Sequence, residues 1–366
     1  MKIAHIVSHW ERNGVTSSCH SLIAAQLQRG HEVHLVHRSG AWLSLQDFPT
    51  PLTALGSSLE TRPAEIRRIG YDIRDRGCDV IHCHGSRANK YGMVFRIAAN
   101  AAVVTTAHSR NVQIPFAFFK AVIAPSHQTA AFHTRFNLVA RSKIHVIPNF
   151  VPISPQPPDR TRAKTALRTL LGLPPDAFTI GMVGSVGPRK NQTDGLRILR
   201  ELVAIDPRVK LVVVGSLHHA KRLEGWETLL NDPQIEANVV LTGHRDDAPS
   251  MIGGFDVLLS TSKKEEGPVV VLEAMSQTVP VVSYLTGQVP DLIRSGTDGF
   301  AVAVGDWQSA RDAIGALLKE PGLAETVGLS GRQRLQEKCG ENAVLAEIER
   351  VYERVTDTSR TASSRP

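Results

Sequence analysis

The chain has 366 residues, 42% hydrophobic and 21% charged, which gives enough apolar mass for large cores and favours two globular domains over one. Its four cysteines, Cys19, Cys78, Cys83 and Cys339, show neither CxxC spacing nor a disulfide framework, which fits a reducing, cytoplasmic setting. The net charge of +7 is uneven, with 18 Lys+Arg against 9 Asp+Glu in residues 1–160 and 24 against 26 in the remainder, so the basic half suits an anionic membrane surface or glycan. Aromatic residues make up 5% and no nucleic-acid motif is present, so no nucleic-acid partner is expected. The opening run Met1-Lys2-Ile3-Ala4-His5-Ile6-Val7 lacks a cleavage pattern, and no uncharged apolar stretch approaches a membrane span. A soluble or peripheral protein is expected.

Lys2–Val7 is predicted as a buried strand, Thr16–Arg29 as a helix ended by Gly30, and Glu32–His37 as a second strand, a βαβ opening. Short apolar runs at Asp79–Cys83, Ala102–Thr106, Lys120–Ala124 and Ile144–Ile147 alternate with helical segments and imply a parallel sheet covered on both faces. The Pro-rich stretch between Val151 and Arg162 reads as a stiff linker and places the domain boundary. The pattern then restarts with strands at Phe178–Val183, Lys210–Val214, Asn238–Leu241, Phe255–Ser260 and Val279–Ser283. The expected fold class is α/β, with two doubly wound Rossmann-like domains at 1–155 and 165–340 facing a central cleft. A C-terminal helix at 341–356 and a disordered tail at 357–366 complete the chain. Such sheets bind ligands beyond the carboxyl ends of their strands, at Ser8–Gly14, His108, Gly184–Asn191, Gly215–His219 and Ser262–Gly267.

The most informative segment is Lys264-Glu265-Glu266-Gly267-Pro268-Val269-Val270-Val271-Leu272-Glu273-Ala274-Met275. Pro268 predicts a helix running to about Gln277, whose free amides near Gly267 and Val269 point back toward Glu265 and attract a diphosphate. At about 1.5 Å of rise per residue, the step from Glu265 to Glu273 spans on the order of 12 Å, so one carboxylate can sit at each end of a sugar nucleotide. An acidic pair before a helix also complements the helix dipole, and on local sequence alone that account has more weight. Arg189 and Lys190 stand at a strand-to-helix turn, as phosphate partners or as a solvated helix start. Twelve of the fifteen histidines precede residue 150, but His82-x-His84 has no completing ligands at metal-site spacing, so no metal is expected. Arg87, Asn89 and Lys90 either border an acceptor or form an exposed basic helix. Ile114-Pro115-Phe116-Ala117-Phe118-Phe119-Lys120 reads as a core helix in preference to an interfacial patch.

The Glu265-x7-Glu273 spacing, followed by Ala274-Met275 and a Val-Pro-Val strand, resembles the retaining glycosyltransferases of family 4, which have the GT-B fold. In the same order as that family come Asn13-Gly14, Asp79-Val80-Ile81-His82-Cys83-His84, Val103-Val104-Thr105-Thr106-Ala107-His108, Val146-Ile147-Pro148-Asn149, Gly184 to Lys190 and Gly287-Gln288-Val289-Pro290-Asp291. The resemblance covers roughly residues 1–345. It implies catalytic roles for His108 and Glu265, Glu273 on the ribose, Arg189 and Lys190 on the diphosphate, and a close approach of the Gly14 amide; Gly267 and Val269 complete the implied donor site. It implies no cofactor, a nucleoside-diphosphate sugar donor of UDP or GDP type, and a growing glycan or lipid-linked acceptor. The chain departs from the family where Ser185 replaces the usual arginine after Gly184, with Arg189 as the substitute, and where Glu265-Glu266-Gly267-Pro268 shifts a glycine by one place.

Three other readings stay open at this stage. One is transfer to a small soluble acceptor, and another is a non-catalytic sugar-nucleotide-binding subunit. A dinucleotide-dependent oxidoreductase is the poorest, because Ser8–Gly14 lacks GxGxxG and His37-Arg38 stands where an acid should end the second strand.

Overall fold

The computed structural model describes residues 1–60, 62–98 and 101–363. A first sheet contains β1 (Lys2–Val7), β2 (Glu32–Arg38), β3 (Thr53–Ser57), β4 (Val80–His84), β5 (Ala102–Thr106), β6 (Ala121–Ala124) and β7 (Ile144–Val146), in the order β3-β2-β1-β4-β5-β6-β7. A second contains β8 (Phe178–Val183), β9 (Val209–Val214), β10 (Val239–Gly243), β11 (Val257–Ser260), β12 (Val281–Tyr284) and β13 (Phe300–Val302), in the order β10-β9-β8-β11-β12-β13. All neighbours are parallel, as the helices between successive strands require. Each sheet starts at its middle, builds to one edge, and returns to build the other way. The order therefore reverses between β1 and β4 and between β8 and β11, the two switch points at which doubly wound sheets open a crevice.

The long apolar runs give the central strands. Two edge strands escape that reading: β3 is Thr-Ala-Leu-Gly-Ser and β13 is Phe-Ala-Val, too short and too mixed to signal a buried strand.

The chain divides into two compact units, Met1–Phe150 with Cys339–Pro366, and Val151–Lys338. The last helix, Glu341–Ser363, belongs with the first unit: its Val344, Leu345, Ile348, Val351, Tyr352 and Val355 are buried, and Glu349 holds Arg29 at 2.7 Å and His31 at 2.8 Å. This corrects the expectation of a helix ending at 356 before a disordered tail. A helix seeded by a packed apolar face propagates cheaply through the polar residues beyond it, here to Ser363, while 364–366 lie outside the described residues.

Strand periodicity sorts the first core. Ala4 and Ile6 of β1 and Ile81 and Cys83 of β4 face one cluster with Ile69, Ile73, Tyr91 and Phe95. The alternate residues His5, His82 and His84 point to the other face, because the register pairs His5 with His82 and Val7 with His84. That face is covered by the helices Gly14–Gln28 and Glu341–Ser363.

In the second unit the helix Arg160–Leu171 is tied to the sheet by buried Asp256. Its carboxylate takes Lys164 at 2.6 Å and Arg168 at 3.3 Å and accepts from Thr179 N at 2.8 Å and Thr179 Oγ1 at 2.9 Å. Arg160 donates to Gly253 O and, at 2.5 Å, to Phe255 O, and its burial lowers its pKa to about 10. Asp256→Ala leaves two cations and a backbone amide without their acceptor and is expected to destabilise this unit by about 3 kcal/mol in urea unfolding.

Candidate functional site

Arg189, Lys190 and Glu265 meet in the second unit. The cations sit in the loop after β8 and the carboxylate in the loop after β11, neighbouring strands at the switch point. Glu265 is 7% exposed, and its Oε1 lies 2.7 Å from Arg189 Nη1 and 2.8 Å from Lys190 Nζ. Burial works to raise the Glu265 pKa, but the Lys190 and Arg189 charges, with hydrogen bonds from Lys190 and Ser262, outweigh it and hold the carboxyl below its ordinary range. So the two residues assigned to a diphosphate also neutralise the carboxylate assigned to the sugar.

Backbone contacts lock the two loops together. Lys263 N donates to Arg189 O at 2.9 Å, and Thr261 Oγ1 donates to Lys190 O at 3.0 Å and Asn191 O at 2.9 Å. Gly215 (φ +156°) allows the end of β9 to cross the end of β8, since a Cβ there would stand 2.2 Å from Gly184 O. Gly287 (φ +56°) does the same beneath the acidic loop, where a Cβ would come within 2.6 Å of Glu266 O and 2.8 Å of Glu265 O. Among these, Gly215 and Ser262 fall in the loops expected beyond the strand ends, while Thr261 was missed by sequence reading, because a supporting hydroxyl carries no motif of its own.

Pro268 is the N-cap residue of the helix Val269–Ser276, and Gln277 its C-cap. Proline has no capping oxygen, and the cap is made without a side-chain hydrogen bond. Gly267 lies in the turn before this helix, Val269 is buried at its first position, and Glu273 is half-buried within it.

Gly14 and His108 belong to the first unit. Gly14 is exposed and opens its helix, while the next two amides, Val15 N and Thr16 N, donate to Asn13 Oδ1 at 2.9 Å and 3.2 Å. His108 follows β5, and its Nε2 lies 3.1 Å from His84 Nδ1. It lines a cavity of about 60 Å³ with His9, Ser86, Asn89, Thr106 and Gln113. Burial, with a smaller contribution from His9, pushes the His108 pKa down to about 3. Arg87 and Lys90 border a separate recess of about 350 Å³ with Glu60 and Ser86.

Two expectations change. His82-x-His84 does acquire partners at ligand distance: His5 joins them, and Cys19 joins His84 and His108, each set having its ligand atoms within 4.8 Å. Register across β1 and β4 supplies what linear spacing cannot show. The Ile114–Lys120 segment is a 3-10 turn over Ile114–Phe118 instead of a core helix; Phe116 and Phe119 are buried, while Ile114 is 74% exposed.

Because Glu265 titrates below its unfolded value, its contribution to stability is complete above pH about 4.5 and is lost as pH falls through the folded value. Glu265→Gln should therefore lower stability at pH 7 and flatten the loss between pH 5 and pH 3, measured by urea unfolding of both proteins at each pH.

Comparison with known proteins places this geometry in a family. Residues 164–343 match the family "Glycosyl transferases group 1" and residues 12–154 match "Glycosyltransferase Family 4". The capsular polysaccharide biosynthesis glycosyltransferase CapM of Staphylococcus aureus is 30% identical over 178 residues, 48% of this chain and 46% of that protein. The chain thus spans less than half the length of that relative. The phosphatidyl-myo-inositol mannosyltransferase of Mycobacterium leprae is 25% identical over 365 residues and 93% of both chains. Anabaena HepE, solved with UDP and glucose, superposes with a TM-score of 0.81 at 18% identity, covering 96% of this chain and 99% of that one, a likeness of fold. Two glycosyltransferase families matched in succession, on two doubly wound parallel sheets, make this chain a member of the GT-B glycosyltransferases of the family 4 type.

Proposed function

We propose that the protein transfers a hexose-type sugar from a nucleoside diphosphate of UDP or GDP type to a growing surface glycan or lipid-linked saccharide, with retention of configuration and without a metal cofactor. The observation that carries this reading is the Arg189–Glu265–Lys190 cluster at the β8/β11 switch point. In the reaction, the bond from the anomeric carbon to the diphosphate oxygen breaks with its electron pair on that oxygen. The acceptor hydroxyl attacks from the same face, and its proton passes to the departing phosphate. Arg189 and Lys190 offset the negative charge as it develops, Glu265 holds sugar hydroxyls near the reacting carbon, and Glu273 takes the ribose. Gly267 and Val269 contribute backbone close to the phosphates. Polysaccharide and glycolipid roles among the relatives favour the glycan or lipid-linked acceptor over a small soluble one.

The test is a thermal-shift panel with UDP, GDP, ADP, CMP and NADP, in which a ligand at 100 times its dissociation constant stabilises by about 2.7 kcal/mol. UDP or GDP should raise the melting temperature, and Glu273→Ala should abolish the shift; a shift with NADP alone would overturn the reading. Lys190→Ala should lower transfer about a hundredfold.

The lipid-linked acceptor has a second support on the first unit. Gln113 N donates to Asn137 Oδ1 at 2.6 Å, which sets exposed Val112 and Ile114 beside exposed Phe136 and Leu138. Leu138 is 80% exposed at φ +52°, an unusual placement for a leucine, and Arg135, Arg141 and Lys120 are exposed nearby in sequence. Exposed apolar residues with cations near them in the chain suit an anionic bilayer surface. Vesicles containing anionic lipid should bind the protein in a salt-sensitive manner, and the double variant Ile114→Glu/Leu138→Glu should lose that binding with its fold intact.

A further inference from the structure

Burial has left a continuous line of neutral imidazoles beneath His108. Gln26 Oε1 stands 2.7 Å from His5 Nε2, His5 Nδ1 stands 3.0 Å from His84 Nε2, and His84 Nδ1 stands 3.1 Å from His108 Nε2. A second branch leaves the same amide: Gln26 Nε2 donates to Tyr352 OH at 3.2 Å, Tyr352 OH reaches His82 Nδ1 at 2.6 Å, and His82 Nε2 reaches Thr106 Oγ1 at 2.7 Å. Desolvation lowers every one of these imidazoles, His5 to about 4 and His108 to about 3, with His82 and His84 well below the ordinary value. A neutral imidazole carries one N–H, so fixing the proton on one nitrogen fixes the role of the other.

The polarity can then be followed atom by atom. An amide oxygen has no hydrogen, so His5 Nε2 carries the proton and His5 Nδ1 is bare. His84 Nε2 must donate to that bare nitrogen, which leaves His84 Nδ1 bare, and His108 Nε2 must donate in turn. The second branch agrees. Tyr352 OH accepts from the Gln26 amide, keeps its hydrogen for His82 Nδ1, and so leaves His82 the proton on Nε2 that Thr106 Oγ1 accepts. If the Gln26 amide were reversed, every hydrogen on both branches would reverse with it. One buried side chain therefore decides the polarity of four hydrogen bonds beyond its own two.

We infer that Gln26, His5 and His84 are positioning residues that lock His108 as its Nε2–H tautomer, so that His108 presents a bare Nδ1 and recognises a hydrogen-bond donor, a sugar hydroxyl, in preference to a phosphate or carboxylate oxygen. The tautomer stands on the placement of the Gln26 amide, oxygen toward His5 and nitrogen toward Tyr352, and on the hydrogen bonds that follow from it; the sugar as its partner rests on the glycosyltransferase reading above. Both potential metal-ligand sets draw on this network: His5, His84 and His108 bond one another, and His82 bonds Tyr352 and Thr106. The cavity beside His108 is polar, with Ser86, Asn89 and Gln113 on its wall, as a hydroxyl-binding site requires.

The test is two-bond ¹H–¹⁵N correlation of histidine ring nitrogens in the full-length, ligand-free protein, with His108 assigned through His108→Gln. His108 is expected to show a protonated Nε2 and a bare Nδ1 in the wild type. Gln26→Met, which removes the acceptor oxygen, should replace this with a mixture of tautomers, and Gln26→Glu, which keeps an oxygen, should retain it. In transfer assays Gln26→Met should lower kcat by about tenfold while KM stays within about twofold, as expected for a group acting only through another. A wild-type His108 protonated on Nδ1 overturns the inference whether or not any variant folds, and so does a folded Gln26→Met protein that keeps the single Nε2–H form. Neither spectrum depends on a donor or acceptor, so a failure of the glycosyltransferase reading would leave this result distinguishable.

Discussion

A carboxylate removed from water must be compensated at short range, and Glu265 meets this condition through Lys190 and Arg189, both within 2.8 Å. The three side chains come from loops after β8 and β11, so the cluster exists only because those strands are neighbours where the sheet order reverses. The surrounding peculiarities follow from keeping the loops in contact. Gly215 and Gly287 remove side chains that would collide with the loop backbones, and Thr261 ties the carbonyls of Lys190 and Asn191 to the strand end. A cluster already charged and rigid needs little reorganisation when a more highly charged anion competes for the cations, the condition under which fixed charges act best in a transition state.

The first unit has the same strand order and solves the problem of buried polarity differently. At its switch point, between β1 and β4, the inward residues are His5, His82 and His84, whose proton affinities burial depresses until they are neutral. They are then satisfied by hydrogen bonds to one another and to Gln26, Tyr352 and Thr106. A network in which each member supplies one hydrogen and one lone pair is intolerant of a single exchanged partner, so Tyr352, on a helix more than 260 residues away in sequence, belongs to the same unit as the strand histidines. Tyr352 thus adds a buried polar tie to the apolar face by which the C-terminal helix packs on the first unit.

Much of the fold was legible because parallel strands covered on both faces are largely apolar: β1, β5 and β8 have the bounds their apolar runs indicate. The helix after Pro268 was equally legible, since proline at a helix start has few alternatives. Less was legible at the edges. β3 and β13 have one neighbour each and need no long apolar run, and the 3-10 turn at Ile114–Phe118 carries a composition that also suits a core helix. The polar end of the last helix gave no local sign of order.

Candidate residues and candidate interactions separate in the same way. Arg189, Lys190, Glu265 and His108 could be named individually, because residue type, turn chemistry and family order are properties of the chain read in one dimension. That Glu265 neutralises both cations 75 and 76 residues before it, and that Gln26 orders the protons beneath His108, could not be read there. The sequence by itself determined which residues are strand, turn and charge and in what order they come. Tertiary structure alone decided which meet, because parallel register and switch-point adjacency relate residues far apart in the chain, and burial sets whether they meet as ions or as neutral donors and acceptors.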